Sequence, residues 1–191
     1  DMLVGSRAEG LVVASVFPYQ DPAYLRGLQE EGVPLVLIDR IFEGFEACSA
    51  RTDDYLVGCI AAEHLISLGH RRIAHILGPP VSTAEERRRG FLDTAKAAGI
   101  DVPAAYVAEG GAFEVDAGVK GMGELLKLDP RPTAVFGPSD PAAMGAVMAA
   151  RQAGLRVPED ISVIGAGTIE HDYQPDPFMT TLHWDRRVMG E

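Results

Sequence analysis

Short, almost continuously apolar runs punctuate the chain: Leu11-Val12-Val13-Ala14, Leu35-Val36-Leu37-Ile38, Ile73-Ala74-His75-Ile76-Leu77, Ala134-Val135-Phe136 and Ile161-Ser162-Val163-Ile164. Their length and β-branched content predict strands. The lack of polar alternation predicts strands covered on both faces, as parallel sheets are when crossover helices pack above and below. The segments between them have a helical period and legible ends. Asp21-Pro22 supplies an N-cap and a helix-compatible proline, and Gly32 closes that helix ahead of Val33-Pro34. From Asp54 to Leu68 the positions Leu56, Val57, Ile60, Ala61, His64, Leu65 and Leu68 form one apolar stripe, which Gly69 stops. Ser82 with Glu85 reads as a capping box for a helix that closes at Gly99. Val115, Val119, Met122, Leu125 and Leu126 mark the next helix, and Asp140-Pro141 opens a last one ending at Gly154. The repeated β-α-β order, with crossovers of a dozen or more residues, predicts an α/β architecture with doubly wound parallel sheets.

The 191 residues suffice for one large domain or two small lobes. With 17 Lys and Arg against 28 Asp and Glu, the net charge is −11, the wrong sign for a surface that replaces counterions on nucleic-acid phosphates. No apolar run approaches the ~20 residues that span a bilayer, and no basic segment precedes an apolar one at the start, so neither a membrane anchor nor an export signal is expected. Cys48 and Cys59 lack a CxxC spacing, which favours a reducing, cytoplasmic compartment. Basic charge is carried by 14 Arg and only 3 Lys, and Asn is absent. This bias also touches functional positions. The start at Asp1 and a helix only beginning at Asp185-Arg186-Arg187-Val188-Met189 read as a fragment cut at both ends.

Open parallel sheets bind ligands beyond the carboxyl ends of their strands. Polar and aromatic residues of this chain gather at those exits. Ser15 and Tyr19 follow the first strand, Asp39 ends the second, and Glu109-Gly110-Gly111 lead to Phe113. Gly137-Pro138-Ser139-Asp140 and Gly165-Ala166-Gly167 end two more, and Arg87 lies in the opening turns of the helix after Gly78-Pro79-Pro80. A carboxylate, a guanidinium and an aromatic face suit a polar small molecule. Each has a structural alternative: Asp39 as a local cap or ion pair, Arg87-Arg88-Arg89 as a solvated face with members about 100° apart, Phe113 as a core ring, Ser139 and Asp140 as an N-cap. Enzyme motifs fail. Pro141 stands where the G-x-S-x-G elbow needs Gly, Glu170 replaces the third Gly of a dinucleotide fingerprint, and no P-loop Lys is present. The histidines at 64, 70, 75, 171 and 183 show no paired metal spacing. No catalytic residue, metal or cofactor is expected.

The stretch His64-Leu65-Ile66-Ser67-Leu68-Gly69-His70-Arg71-Arg72-Ile73-Ala74 resembles a signature of the lactose/galactose-repressor (LacI/GalR) family of bacterial transcription regulators, as does Arg87-x-x-Gly90-Phe91. Pro132 to Phe136, Ser139-Asp140-x-x-Ala143-x-Gly145-Ala146, and Gly154 through Gly165 are similar to its later block, and Thr180-Thr181-Leu182 matches the segment before the chain recrosses. The resemblance implies two periplasmic-binding-protein-like lobes, with 1–69 as a partial N-terminal lobe, 70–182 as the C-terminal lobe and 183–191 as a truncated return crossover. It implies an effector, a sugar or similar metabolite, whose binding closes the lobes and controls operator DNA through a headpiece absent from this sequence, in a homodimer. It places Arg87, Asp39 and Phe113 in the ligand cleft. Ser139 stands where members usually carry Asn, Gly167 where they usually carry Asp, and Trp184 where many carry Gln, either as an added stacking surface or as a packing residue. The alternative on the same fold is a solute-binding protein of a sugar ABC transporter.

Overall fold

The computed structural model describes residues 8–14, 22–167, 179–185 and 187–188. The chain divides into two compact units. One comprises residues 1–52, 81–83 and 185–191, the other residues 53–80 and 84–184.

In the first unit, β1 (Leu11–Ala14), β2 (Leu35–Ile38) and β3 (Cys48–Ala50) form a parallel sheet in the order β1-β2-β3, and α1 (Ala23–Glu30) makes the crossover from β1 to β2. Leu28, Leu35, Leu37 and Phe45 form its buried cluster. The expectation of strands covered on both faces is corrected here. Val12 is 68% exposed and Val36 37%, and burial alternates along β1 and β2, so this sheet buries one face among the described residues. β3 carried no apolar run and was not anticipated.

The second unit is built as α2 (Asp54–Ser67), β4 (Ile73–Ile76), α3 (Ser82–Ala97, whose first two residues fall in the first unit), a 3-10 turn at Ala104–Tyr106, β5 (Val107–Ala108), α4 (Val115–Leu125), β6 (Ala134–Phe136), α5 (Asp140–Gln152), β7 (Ser162–Ala166) and β8 (Thr180–Leu182). Its five strands are all parallel, in the order β5-β4-β6-β7-β8. β4 and β6 are buried at every position, as their uninterrupted apolar runs require. One face of the sheet packs Ala74, Ile76, Val135 and Val163 against Met122 and Leu125 of α4 and Ala143, Ala146, Val147 and Ala150 of α5. The other packs Ile73, Ala134, Phe136 and Ile164 against Val57, Ala61 and Leu65 of α2 and Phe91 and Ala95 of α3. Several helix ends show recognisable cap chemistry, while Asp21, the expected N-cap of α1, lies outside the described residues and Pro22 takes the N-cap position without a side-chain cap. Asp53 caps α2 by accepting from Leu56 N at 2.9 Å, Ser139 caps α5, and Gly69, Gly99 and Gly154 adopt positive φ after their helices. No helix among the described residues is long and apolar enough to cross a membrane.

The predicted stripe on α2 is displaced. Val57, Ala61, Ala62 and Leu65 are buried, whereas Leu56, Ile60 and Leu68 are 50%, 41% and 60% exposed. The cause is the approach of α3: a β-carbon at Gly58 would overlap the Arg87 carbonyl, and one at Gly90 would overlap the Tyr55 carbonyl. Two glycines thus define the buried face that apolar counting alone assigns one position away. Ser82, expected to close a capping box with Glu85, accepts a hydrogen bond from Ile41 N at 3.2 Å.

Candidate functional site

In the second unit the exits of β4, β6 and β7 lead into Gly78, into Pro138-Ser139 and into Gly167, and here the expected site residues of that unit gather. Arg87, six residues into α3, is 6% exposed. Its Nε donates to Asp54 Oδ1 at 2.8 Å, its Nη1 donates to the Pro138 carbonyl at 2.7 Å, and its guanidinium lies over the Trp184 ring, 5.2 Å from the centroid. Nη2 has no partner among the described residues. Asp54 is equally buried, at 6%. A buried charge demands such compensation, because removing one partner from a buried pair costs about 3–5 kcal/mol.

Ser139 has its hydroxyl committed twice inside the fold. It donates to the Phe113 carbonyl at 2.6 Å and accepts from Ala142 N at 3.2 Å. The first bond ties the loop carrying Phe113 to the exit of β6. The Phe113 ring reaches Gly78, where a β-carbon would stand 3.0 Å from its Cε1. It also lines a cavity of about 360 Å³ with Glu114, Val115, Asp116 and Pro141. Asp140 is 1% exposed and accepts a short hydrogen bond from the Thr181 hydroxyl of β8. Its carboxylate occupies the space beside Gly165 and Gly167: a β-carbon at Gly167 would sit 3.1 Å from Asp140 Oδ2. Trp184 packs against the cluster formed by α2, α3 and the sheet while carrying the guanidinium on its ring.

The structure therefore brings Arg87, Phe113, Ser139, Asp140 and Trp184 to one edge of one unit. Asp39 belongs to the first unit. It follows β2 with φ of 69°, donates its backbone N–H to the Ala50 carbonyl, and holds its half-exposed carboxylate 3.8 Å from Arg40 Nε. A positive φ at a non-glycine residue costs energy that Asp tolerates better than most. Ser15 and Tyr19 lie outside the described residues. Sequence reasoning missed Asp54, read only as a helix start, and the Thr52 and Thr83 hydroxyls, which are buried without a hydrogen-bond partner among the described residues. The signal for Asp54 was the doublet Asp53-Asp54: one carboxylate suffices for the cap, and the second is left for another purpose.

One further group beneath this edge is unusual. His75 is fully buried, stacked on Phe136 at 4.9 Å and beside Phe91 at 5.6 Å. Its Nδ1 donates to the Phe136 carbonyl at 3.0 Å, which fixes the tautomer and leaves Nε2 an acceptor without a partner among the described residues. Burial, aided by the nearby cations Arg88 and Arg87, lowers its pKa to about 4, against the smaller opposing effect of the carbonyl bond.

Residues 62–191 match the family described as periplasmic binding protein-like domain. The chain is 38% identical over 199 residues to the HTH-type transcriptional repressor PurR of Photorhabdus laumondii, an alignment covering all of this chain and 56% of that repressor. The chain thus spans about half the length of the curated relatives it matches. A LacI transcriptional regulator from Rhodococcus superimposes with a TM-score of 0.85 at 32% identity, over 98% of this chain and 68% of that one. The transcriptional regulator CelR in complex with cellobiose does so with a TM-score of 0.86 at 34% identity, over 99% of this chain and 58% of that one. These relatives carry the names of regulators and not of enzymes.

Proposed function

The chain belongs to the periplasmic binding protein-like domain family, in the branch of LacI-type transcriptional regulators, and from that membership we propose that it is the effector-sensing core of a transcriptional repressor. The effector is a small polar metabolite, a sugar in the first instance, as the cellobiose complex of a 34% identical regulator suggests. It binds and leaves chemically unchanged. Arg87 donates to an effector oxygen, Phe113 covers an apolar ring face, and Asp39 of the first unit accepts from a hydroxyl. Ser139 and Asp140 support this edge through the bonds to Phe113 and Thr181. Binding favours one arrangement of the two lobes and, through it, the DNA affinity of a headpiece elsewhere in the full protein. The whole protein acts as a cytoplasmic homodimer. A transporter-linked solute-binding protein would share the fold, but the relatives at comparable identity are named as regulators.

The observation that carries this reading is the Arg87 guanidinium: buried at the strand exits beside an aromatic loop, it has one nitrogen without a partner among the described residues. Such an arrangement is common where a ligand completes the hydrogen bonding. Calorimetry of the full-length protein against cellobiose, D-glucose, D-ribose and common nucleosides should reveal a binder. Arg87→Ala should weaken it by about 1.5–3 kcal/mol, the worth of a hydrogen bond to a charged donor. Unchanged affinity in that variant removes Arg87 from the site.

A further inference from the structure

An arginine side chain in water presents five N–H groups through a flexible stem, and any edge of its fork can meet a ligand. Arg87 has lost that freedom on three sides. Asp54 takes Nε, the Pro138 carbonyl takes Nη1, and the Trp184 ring lies against one face of the guanidinium. The two side-chain holders are themselves fixed. Asp54 stands at the start of α2, which the Gly58 and Gly90 contacts press against α3, and Trp184 packs on the cluster around Phe91 and Ile164. Asp54 also balances the guanidinium charge at 2.8 Å in a site where both side chains are at most 7% exposed. What is left for a ligand is therefore the Nη2 side of a charge-compensated pair, whose two N–H groups have no partner among the described residues, and not a free cation.

We propose that Asp54 and Trp184 are positioning residues that present the Nη2 side of Arg87 to the effector, so that the site selects a neutral oxygen acceptor, a hydroxyl or carbonyl, over a carboxylate or phosphate. A carboxylate binds arginine best through two parallel bonds, and here the Nε–H of the side edge is already taken by Asp54 and Nη1 is bound by the Pro138 carbonyl. An added anion would also meet the Asp54 carboxylate across the guanidinium, with its charge uncompensated. The selection rests on the reading that Arg87 faces the effector; the hold on Arg87 does not.

Two measurements on the full-length protein separate these. Side-chain nitrogen NMR of Arg87, assigned by the loss of its signal in Arg87→Lys, tests the hold without any ligand. The Nε–H should exchange at least about tenfold more slowly than in a free arginine, as a charge-assisted bond requires. Asp54→Asn should speed that exchange, and Trp184→Leu should move the resonance by removing the ring current. A signal exchanging like free arginine, or one indifferent to both variants, overturns the hold. Calorimetry with matched probes, D-glucose with D-glucuronate and cellobiose with cellobionate, tests the selection. The neutral member should bind about tenfold or more tightly than its anion, and Asp54→Asn should narrow that gap while weakening the neutral probe. In an Arg87→Lys background the Asp54→Asn effect should fall below about twofold, because a positioning residue acts only through its partner. Equal or tighter binding of the anion, or an undiminished Asp54 effect without Arg87, overturns the proposal. Binding by no probe, with the hold intact, overturns the effector reading above and with it the selection.

Discussion

His75 shows how a single side chain can carry a pH dependence that its sequence context conceals. Between Ala74 and Ile76 it reads as one polar residue in an apolar strand, and in the structure it is buried against two phenylalanine rings that also stack on each other, with one nitrogen unpartnered among the described residues. Its folded pKa of about 4 lies below the usual value of 6.5. Above pH 6.5 both folded and unfolded chains hold it neutral, and it imposes no pH dependence. As pH falls from 6.5 toward 4 the unfolded chain takes up a proton that the folded chain refuses, so stability declines by up to roughly 3 kcal/mol across that window. His75→Phe keeps a ring in the stack and removes the proton. Urea midpoints at pH 4.5 and pH 7 should converge in that variant relative to the parent, and an unchanged gap would place the acid sensitivity elsewhere. The same scale marks a limit of sequence reading. Ser139 and Asp140 were visible as residues at a strand exit, yet their hydrogen-bond partners Phe113 and Thr181 lie 26 and 41 positions away. No local pattern announces such pairs.

At the scale of elements, hydrophobic period located the helices but not always their buried faces. α2 is apolar nearly all round, so its stripe has no unique direction, and Leu56 and Ile60 end up outside. The direction is set by small residues. Gly58 and Gly90 allow α2 and α3 to touch backbone to backbone, and Gly118 and Gly145 do the same for α4 and α5, where added β-carbons would overlap the carbonyls of Ala142 and Val115. These contacts place Asp54 beside Arg87 and fix the N-terminus of α5 that carries Ser139. Gly145→Ala should therefore destabilise the fold by about 1–3 kcal/mol or more, since the helices must separate to admit a methyl group. Gly123, on the same helix as Gly118, has open space around it. Gly123→Ala should stabilise by about 0.4–1 kcal/mol through the unfolded chain. Thermal midpoints moving the same way in both variants would refute the distinction between a helix contact and an ordinary helical glycine.

Across the whole molecule, the sequence made the architecture legible where strands are fully buried and less so where they are not. β4, β6 and β7 stand out as apolar runs because both faces are covered by helices. β3, with Cys48, Ser49 and Ala50, and the two-residue β5 are too short or too polar to be seen without their neighbours. The same contrast governs stability. The second unit buries two clusters on opposite faces of five strands, whereas the described part of the first holds one small cluster of Leu28, Leu35, Leu37 and Phe45 and leaves Val12 and Val36 open. Apolar burial is the main favourable contribution to folding, and regions with little of it open with low free energy. Amide hydrogen exchange of this chain should accordingly show β4, β6 and β7 protected close to the limit set by global unfolding, with β1 and β2 exchanging at least about tenfold faster. The two sets would exchange together only if the units unfold as one. In that case stability is shared between them rather than set by each unit's own core, and the small cluster around Leu37 would no longer limit the first unit.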